Sequence, residues 1–184
     1  VSYVLTDRIE VSLRIPLRVV KTSVEFLAED GRNLSGFRSI HHRNETITGL
    51  DDLVLEARHR LLMSTPNNRI RLDLKYGMSL PIAKTEPDPF ALGRQGIEHQ
   101  HIFFGTGTFD PRFGLQMEYS VGDFVFSSDT NWNGSLYTNE HGYRGPMSVL
   151  QRLTAGSAFG SKTWFPMLGI ELFKEFPARW KTQP

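Results

Sequence analysis

The sequence predicts an all-β fold, an antiparallel up-and-down β-barrel that spans a membrane. Apolar and polar side chains alternate residue by residue in two stretches, 69–82 and 9–19. Because successive side chains of a β-strand point to opposite faces, each stretch is predicted to be a strand with one apolar and one charged face. A third observation is that short and long connections alternate between the strand-like segments, as they do at the two rims of an outer-membrane barrel.

The stretch 69–82 has the cleaner alternation of the two. Its apolar face carries Ile70, Leu72, Leu74, Tyr76, Met78, Leu80 and Ile82. An amphipathic helix would need apolar residues every three or four positions, which this stretch lacks. At about 3.3 Å per residue and a tilt of about 45°, a strand of this length crosses about 30 Å, the thickness of the hydrocarbon core of a bilayer. The stretch is therefore predicted to be a membrane-spanning strand.

The remaining chain supplies six more strand-like segments, for a total of eight. These segments are 1–5, 51–64, 101–121, 123–138, 147–159 and 163–176, and the segment 51–64 is also compatible with a helix. Pro16 lies inside the strand 9–19, where the missing N–H predicts an edge strand or a bulge. Short connections are expected near 6–8, 65–68, 121–123 and 160–162, and longer ones near 28–49, 83–100, 139–146 and after 176.

Aromatic residues lie near the ends of the predicted strands. They are Tyr76, Tyr119, Phe124, Tyr137, Trp164 and Phe176. Such residues form girdles at the two surfaces of a membrane, although the same residues also fill the cores of water-soluble barrels.

Composition sets limits on the class of protein. With 39% hydrophobic and 22% charged residues, the 184 residues suit one folded domain, and we expect residues 1–184 to be a single barrel domain that is incomplete at both ends. A formal charge of +1 without a basic tract gives no reason to expect a nucleic-acid partner. Cysteine is absent, which excludes disulfides and thiolate chemistry.

The charged faces of the predicted strands would line the lumen of the barrel. Cations slightly outnumber anions there, so we expect a salt-bridged wall with a slight preference for anions, or one whose ion pairs fill the interior and block flow. The predicted lumen-lining residues are Arg14, Arg18, Glu56, Arg58, Arg60, Arg69, Arg71, Asp73, Lys75, Asp110, Arg112, Glu118, Asp129 and Arg152.

The histidines cluster in the long connections. His99 and His101 are two residues apart, so on an extended segment their imidazoles share a face and could hold a divalent metal together with Glu98. Solvated histidines are commoner in loops, and the prediction is that no metal and no other cofactor binds. The sequence has no nucleotide-binding loop, no GxSxG elbow and no HExxH motif, so we expect no enzymatic activity.

Four motifs, in order, resemble the outer-membrane transporter-like family named for the meta-pathway of phenol degradation. They are LTDRIEVSLRIPL, GLDDLVLEARHRLL, LKYGMSLPIA and FGTGTFDPRFGLQMEYS. The resemblance implies a barrel of about a dozen strands in the outer membrane of a Gram-negative bacterium. It also implies passive passage of small, aromatic or anionic, solutes, with the lipid bilayer and the solute as partners. The alternatives are a soluble lipocalin-like binding barrel and an accessory or structural outer-membrane barrel without transport.

Overall fold

The computed structural model describes residues 1–34, 36–37, 39–65, 69–157 and 165–181, and these residues form an all-β protein with one short helix. The strands are β1 (Ser2–Val4), β2 (Ile9–Arg14), β3 (Leu17–Thr22), β4 (Glu45–Leu50), β5 (Leu53–Leu62), β6 (Ile70–Leu80), β7 (Asp110–Val121), β8 (Phe124–Gly134), β9 (Tyr143–Arg144), β10 (Met147–Ser157), β11 (Met167–Phe176) and β12 (Arg179–Trp180). The helix α1 (Pro89–Arg94) lies between β6 and β7. Among the described residues, no helix has both the length and the apolar character needed to cross a membrane.

Eight strands form the main sheet, in the order β1-β2-β5-β6-β7-β8-β10-β11. Neighbouring strands in this sheet are antiparallel and follow one another in chain order, with two small excursions. The excursions are the β3–β4 hairpin and the β9–β12 pair. The predicted all-β, antiparallel fold is therefore confirmed. Closure is not found: in the described part of the chain β1 and β11 are the two edges of the sheet and do not pair with each other.

Pro16 ends a strand that the sequence predicted to continue to residue 19. β2 stops at Arg14, and the chain resumes as β3, which leaves the main sheet and pairs with β4. Since proline has no N–H to donate and fixes its own φ, the ladder of the main sheet cannot continue through it. The partner strand β4 (Glu45–Leu50) overlaps the end of 28–49, which was predicted to be a long loop, so that prediction was wrong at its C-terminal end.

Other boundaries shift in the same direction, toward shorter strands in the main sheet. Residues 101–109, predicted as strand, precede β7, and residues 135–138 follow β8. The predicted loop 83–100 contains α1, whose first turn is capped by the Asp88 carboxylate accepting from the N–H groups of Phe90 and Ala91. The helical alternative for 51–64 is wrong, because that segment contains β5. Residues 66–68 of the predicted turn 65–68, the predicted turn 160–162 and Trp164 lie outside the described residues.

The register of the main sheet keeps polar residues beside polar residues across many strands. One row of opposed residues runs through six strands, from β5 to β11. Its members are Arg60, Asp73, Gln116, Asp129, Arg152 and Glu171. We call this set the charged row. An apolar row lies on the opposite face, where Leu74 opposes Leu115 and Tyr76 opposes Phe113. The sheet thus has one polar and one apolar face.

The two faces differ in exposure, and the polar face is the more enclosed. In β7, Phe113 is 54% exposed and Leu115 46%, whereas Asp73 of the charged row is 0% exposed. Apart from the fully buried Pro89, four apolar side chains of the described residues are buried, Val54, Ala83, Phe104 and Trp180. A water-soluble sheet normally does the reverse and buries its apolar face. The distribution of apolar and polar residues in this sheet is therefore inverted relative to that of a water-soluble protein.

Candidate functional site

Asp73 is the centre of the enclosed polar face. Its Oδ1 accepts from Nε of Arg60 at 3.1 Å, and its Oδ2 accepts from Arg71, at 2.6 Å from Nη2 and 3.0 Å from Nε. A carboxylate with no exposed surface needs such partners, since burying an unpaired charge costs several kcal/mol. Two guanidinium groups from neighbouring positions therefore hold this anion in the wall.

Further ion pairs connect strands on the same face, either neighbouring strands or, for β6 and β8, two strands separated by β7. Lys75 Nζ lies 2.8 Å from Asp129 Oδ1, and both side chains are less than one-fifth exposed. Arg152 Nη2 lies 2.6 Å from Glu171 Oε2, in a pair whose side chains are about half exposed. Arg58 is paired with Glu10. Because most cations of the wall already have an anion beside them, the wall carries little uncompensated charge.

On this face Arg14 has no ion-pair partner among the described residues, and neither has Arg112. Its Nε is buried and has no hydrogen-bond partner among the described residues. It lies beside a cavity of about 470 Å³ at the end of the sheet where the long connections meet, and Arg14, Asp52 and Asp110 also line this cavity. The two arginines of the polar face that have no ion pair among the described residues thus lie at one rim, together with acidic residues.

Hydrogen bonds tie the long connections together at this rim. Asp52, 7% exposed, accepts from the N–H groups of Ala83 and Thr106, both at 3.0 Å. Burial raises the pKa of the Asp52 carboxyl, and those two N–H donors oppose the rise. Thr108, fully buried, donates to Asp110 Oδ1 at 2.5 Å. The connection between β6 and β7 is therefore fixed to the start of β5 and of β7.

Aromatic rings close the same end of the molecule. Phe103 stacks on Tyr143 with ring centroids 5.5 Å apart, and Trp180 lies 4.8 Å from Tyr143 and 5.6 Å from Phe103. Trp180 is one of the four buried apolar residues. This cluster is the nearest that the described residues come to a conventional hydrophobic core.

Twelve of the fourteen residues predicted to line a lumen lie on the polar face of the main sheet. They are Arg14, Glu56, Arg58, Arg60, Arg71, Asp73, Lys75, Asp110, Arg112, Glu118, Asp129 and Arg152. Arg18 does not lie there, because Pro16 diverts it into β3, where it pairs with Asp51 Oδ2 at 2.5 Å and donates to the Phe103 carbonyl. Arg69 is an exposed residue that precedes β6.

Three histidines converge near α1. His41 Nδ1 lies 2.7 Å from His99 Nε2 and 3.3 Å from His101 Nε2. The sequence-based prediction grouped His99 with His101 but did not include His41, which is 58 residues away from His99 along the chain. Glu98, the third residue of the sequence-based candidate, is 2.9 Å from Arg43 in an ion pair instead. Burial lowers the pKa of both His41 and His101, and electrostatic repulsion from His99 is the second cause.

Comparison with known proteins gives no match: no protein-family model, no curated protein and no solved structure is similar to this chain.

Proposed function

We propose that the main sheet is part of a β-barrel in the outer membrane of a Gram-negative bacterium, with its apolar face toward lipid and its charged row toward a lumen. The observation that carries this proposal is the inverted exposure, with Leu115 and Phe113 open to the surroundings and Asp73 enclosed. Apolar side chains cost nothing when they face acyl chains, whereas an enclosed charged wall requires ion-pair partners, and Asp73 has two.

Strand length supports the same proposal. β5, β6, β7, β8, β10 and β11 have 10–12 residues each. A transmembrane β-strand needs about 9–11 residues, whereas the usual strand of a globular protein has about five or six. The unpaired edges of β1 and β11 could not remain open in a bilayer, because lipid offers no partners for backbone N–H and C=O groups. Further strands or another chain would therefore complete the barrel.

The proposed activity is passive passage of small solutes through the lumen. The paired wall supports at most a weak charge selectivity, and the cavity at one rim, lined by three arginines and three aspartates, adds no net charge preference. An outer-membrane barrel with a structural role is the second candidate, favoured by the many ion pairs that occupy the polar face. The exposures do not favour a lipocalin-like barrel, which would enclose its apolar face.

Two neighbouring positions of β7 test the membrane orientation. Single cysteines at Leu115 and at Gln116, in a chain without native cysteine, are labelled with an environment-sensitive dye and reconstituted in liposomes. The Leu115→Cys label should be blue-shifted and quenched by nitroxides on acyl chains, because this side chain would face lipid. The Gln116→Cys label, one residue along the strand and on the opposite face, should respond only to water-soluble quenchers. If the nitroxide lipids quench neither label, the proposed orientation is contradicted.

Transport is tested with the full-length protein in planar bilayers. The proposal expects discrete conductance steps and uptake of small aromatic or anionic solutes by the corresponding liposomes. Heat-denatured protein, added at the same concentration, is the control for leakage. If the labels show a spanning sheet but neither conductance nor uptake appears, the structural role is the correct one.

A further inference from the structure

We infer that His41, His99 and His101 form a binding site for a divalent transition-metal ion, with zinc as the ion to be tested. Three imidazoles from two distant segments of the chain present their ring nitrogens to one point, and these atoms all lie within 4.8 Å of one another. Imidazole nitrogen is a preferred ligand of Zn²⁺, Cu²⁺ and Ni²⁺. The site lies outside the main sheet, so it does not depend on the proposed membrane function.

The distances suit a tetrahedral ion after a small adjustment. Zn–N bonds of about 2.0–2.1 Å at tetrahedral angles place two ligand nitrogens about 3.3–3.4 Å apart. His41 Nδ1 and His101 Nε2 are already 3.3 Å apart. His41 Nδ1 and His99 Nε2, at 2.7 Å, would have to separate slightly, which a rotation of the partly exposed His41 ring provides. The ligand nitrogens of His99 and His101 lie within 4.8 Å of each other and would also have to reach about 3.3–3.4 Å, which further side-chain rotation would have to provide.

The ring of His99 is oriented for this role. Its Nδ1 lies 2.7 Å from the carbonyl oxygen of Ile97, which accepts the Nδ1–H and leaves the Nε2 lone pair toward the cluster. A hydrogen bond of this kind on the far nitrogen is the usual companion of a metal-binding histidine. The ring is also held in place, because His99 is only 6% exposed and its backbone N–H donates to the carbonyl of Ile40.

Gly93 in α1 provides the space for the rings. A Cβ at this position would lie 3.2 Å from Cε1 of His41 and 3.3 Å from Cε1 of His99. Such distances are tighter than ordinary contacts, so a larger side chain at residue 93 would push the imidazoles apart. The helix thus approaches the cluster through its one residue without a side chain.

Without an ion, the hydrogen-bonding of the cluster is incomplete. His41 Nδ1 faces both His99 Nε2 and His101 Nε2, and one N–H cannot serve both acceptors well. A bound cation would give each of the three lone pairs a partner at once. This mismatch, which rests on the same two distances, indicates that the arrangement suits a metal better than a network of neutral imidazoles.

The fourth coordination position would be open. His41 and His101 line a cavity of about 630 Å³, together with Phe90, Arg43 and Arg94. Three histidines with a free fourth position allow a water molecule or a small anion to bind the metal. Arg43 is already paired with Glu45 and Glu98, so Arg94 is the cation of this lining that would favour an anion there.

Isothermal titration calorimetry of the folded, tag-free protein with Zn²⁺ tests the site. We expect one zinc ion per chain with a Kd of about 1 μM or tighter. His101→Ala, which replaces an exposed side chain and should not affect folding, should weaken binding by more than about 100-fold. His41→Ala should do the same. His141→Ala, on a histidine outside the cluster, is the matched control and should leave the Kd unchanged.

X-ray absorption at the zinc edge then counts the ligands. The spectrum of the loaded protein should fit three imidazole nitrogens and one non-imidazole ligand, such as a water oxygen, and His101→Ala should lose one imidazole. Absence of stoichiometric binding would overturn the inference, as would binding of equal strength in the His41, His101 and His141 variants. Because the labelling and conductance experiments measure the sheet, their failure would leave this result unaffected.

Discussion

Replacement of Asp73 with alanine is expected to lower the free energy of unfolding by about 3–5 kcal/mol, the cost typical of breaking a buried ion pair by removing one partner. The variant would leave Arg60 and Arg71 facing each other across β5 and β6 without the carboxylate that both contact. Two cations, each about one-quarter exposed, would then repel each other with only part of their surface open to solvent. The loss of unfolding free energy should therefore exceed the net contribution of either hydrogen bond to stability.

The measurement is reversible urea unfolding in lipid vesicles or detergent micelles, followed by tryptophan fluorescence. Glu171→Ala is the control, because it removes the anion from the pair with Arg152, in which both side chains are about half exposed. Exposed pairs contribute about 0–1 kcal/mol, so the control should unfold almost like the unchanged protein. Equal losses in the two variants would mean that water screens Asp73 as well, and that the polar face is not an enclosed wall.

The residues on each face of the main sheet could be predicted, because successive side chains of a β-strand alternate strictly between the two faces. In β6 and β7, apolar and polar residues alternate so regularly that a shift of one residue would invert every side chain. This is why Asp73, Lys75, Arg112 and Glu118 were assigned to one face without knowledge of the pairing. The register that aligns the charged row across six strands was not predictable from any single strand.

Pro16 shows where pattern analysis fails. The alternation continues past it, through Leu17 and Val19, so periodicity alone predicts one long strand. The chain instead turns into a hairpin with β4, whose six residues, ETITGL, are too few for a clear period and lie in a polar region. Arg18 was consequently assigned to the wrong sheet. The local pattern could not show whether the strand continues past Pro16 with a bulge or leaves the main sheet. The outcome depends on which strand pairs with the residues after Pro16.

The histidine cluster was only half predictable for a different reason. His99 and His101 are close in sequence, but His41 reaches them through a contact between two long connections, in which the His99 N–H donates to the Ile40 carbonyl. No periodic signal encodes such a contact. Glu98 was an attractive third ligand by its position alone, yet Arg43 binds it. Convergence of loops, rather than proximity along the chain, determined which residues form the candidate site.

Replacement of Leu115 with arginine is expected to cost about 2–4 kcal/mol of unfolding free energy in a lipid bilayer. Leu115 is the sixth of the twelve residues of β7, which would place it near the middle of the membrane. Its side chain is 46% exposed on the apolar face. The neighbouring strands place Leu74 and Thr130 beside it, and neither could neutralise the new charge. The guanidinium would have to reach toward a headgroup or draw water into the hydrocarbon region.

The same substitution separates the membrane from the aqueous alternative, because an exposed leucine in water can usually be replaced at a cost within about 0.5 kcal/mol. Leu136→Arg is the matched control: Leu136 is 60% exposed and lies beyond the end of β8, outside the proposed hydrocarbon region. Urea unfolding in large unilamellar vesicles should show a loss for Leu115→Arg and almost none for Leu136→Arg. If the unfolding free energy is unchanged in both variants, the apolar face lies in water. The inverted exposure would then not be explained by lipid, and the proposed barrel would lose its basis.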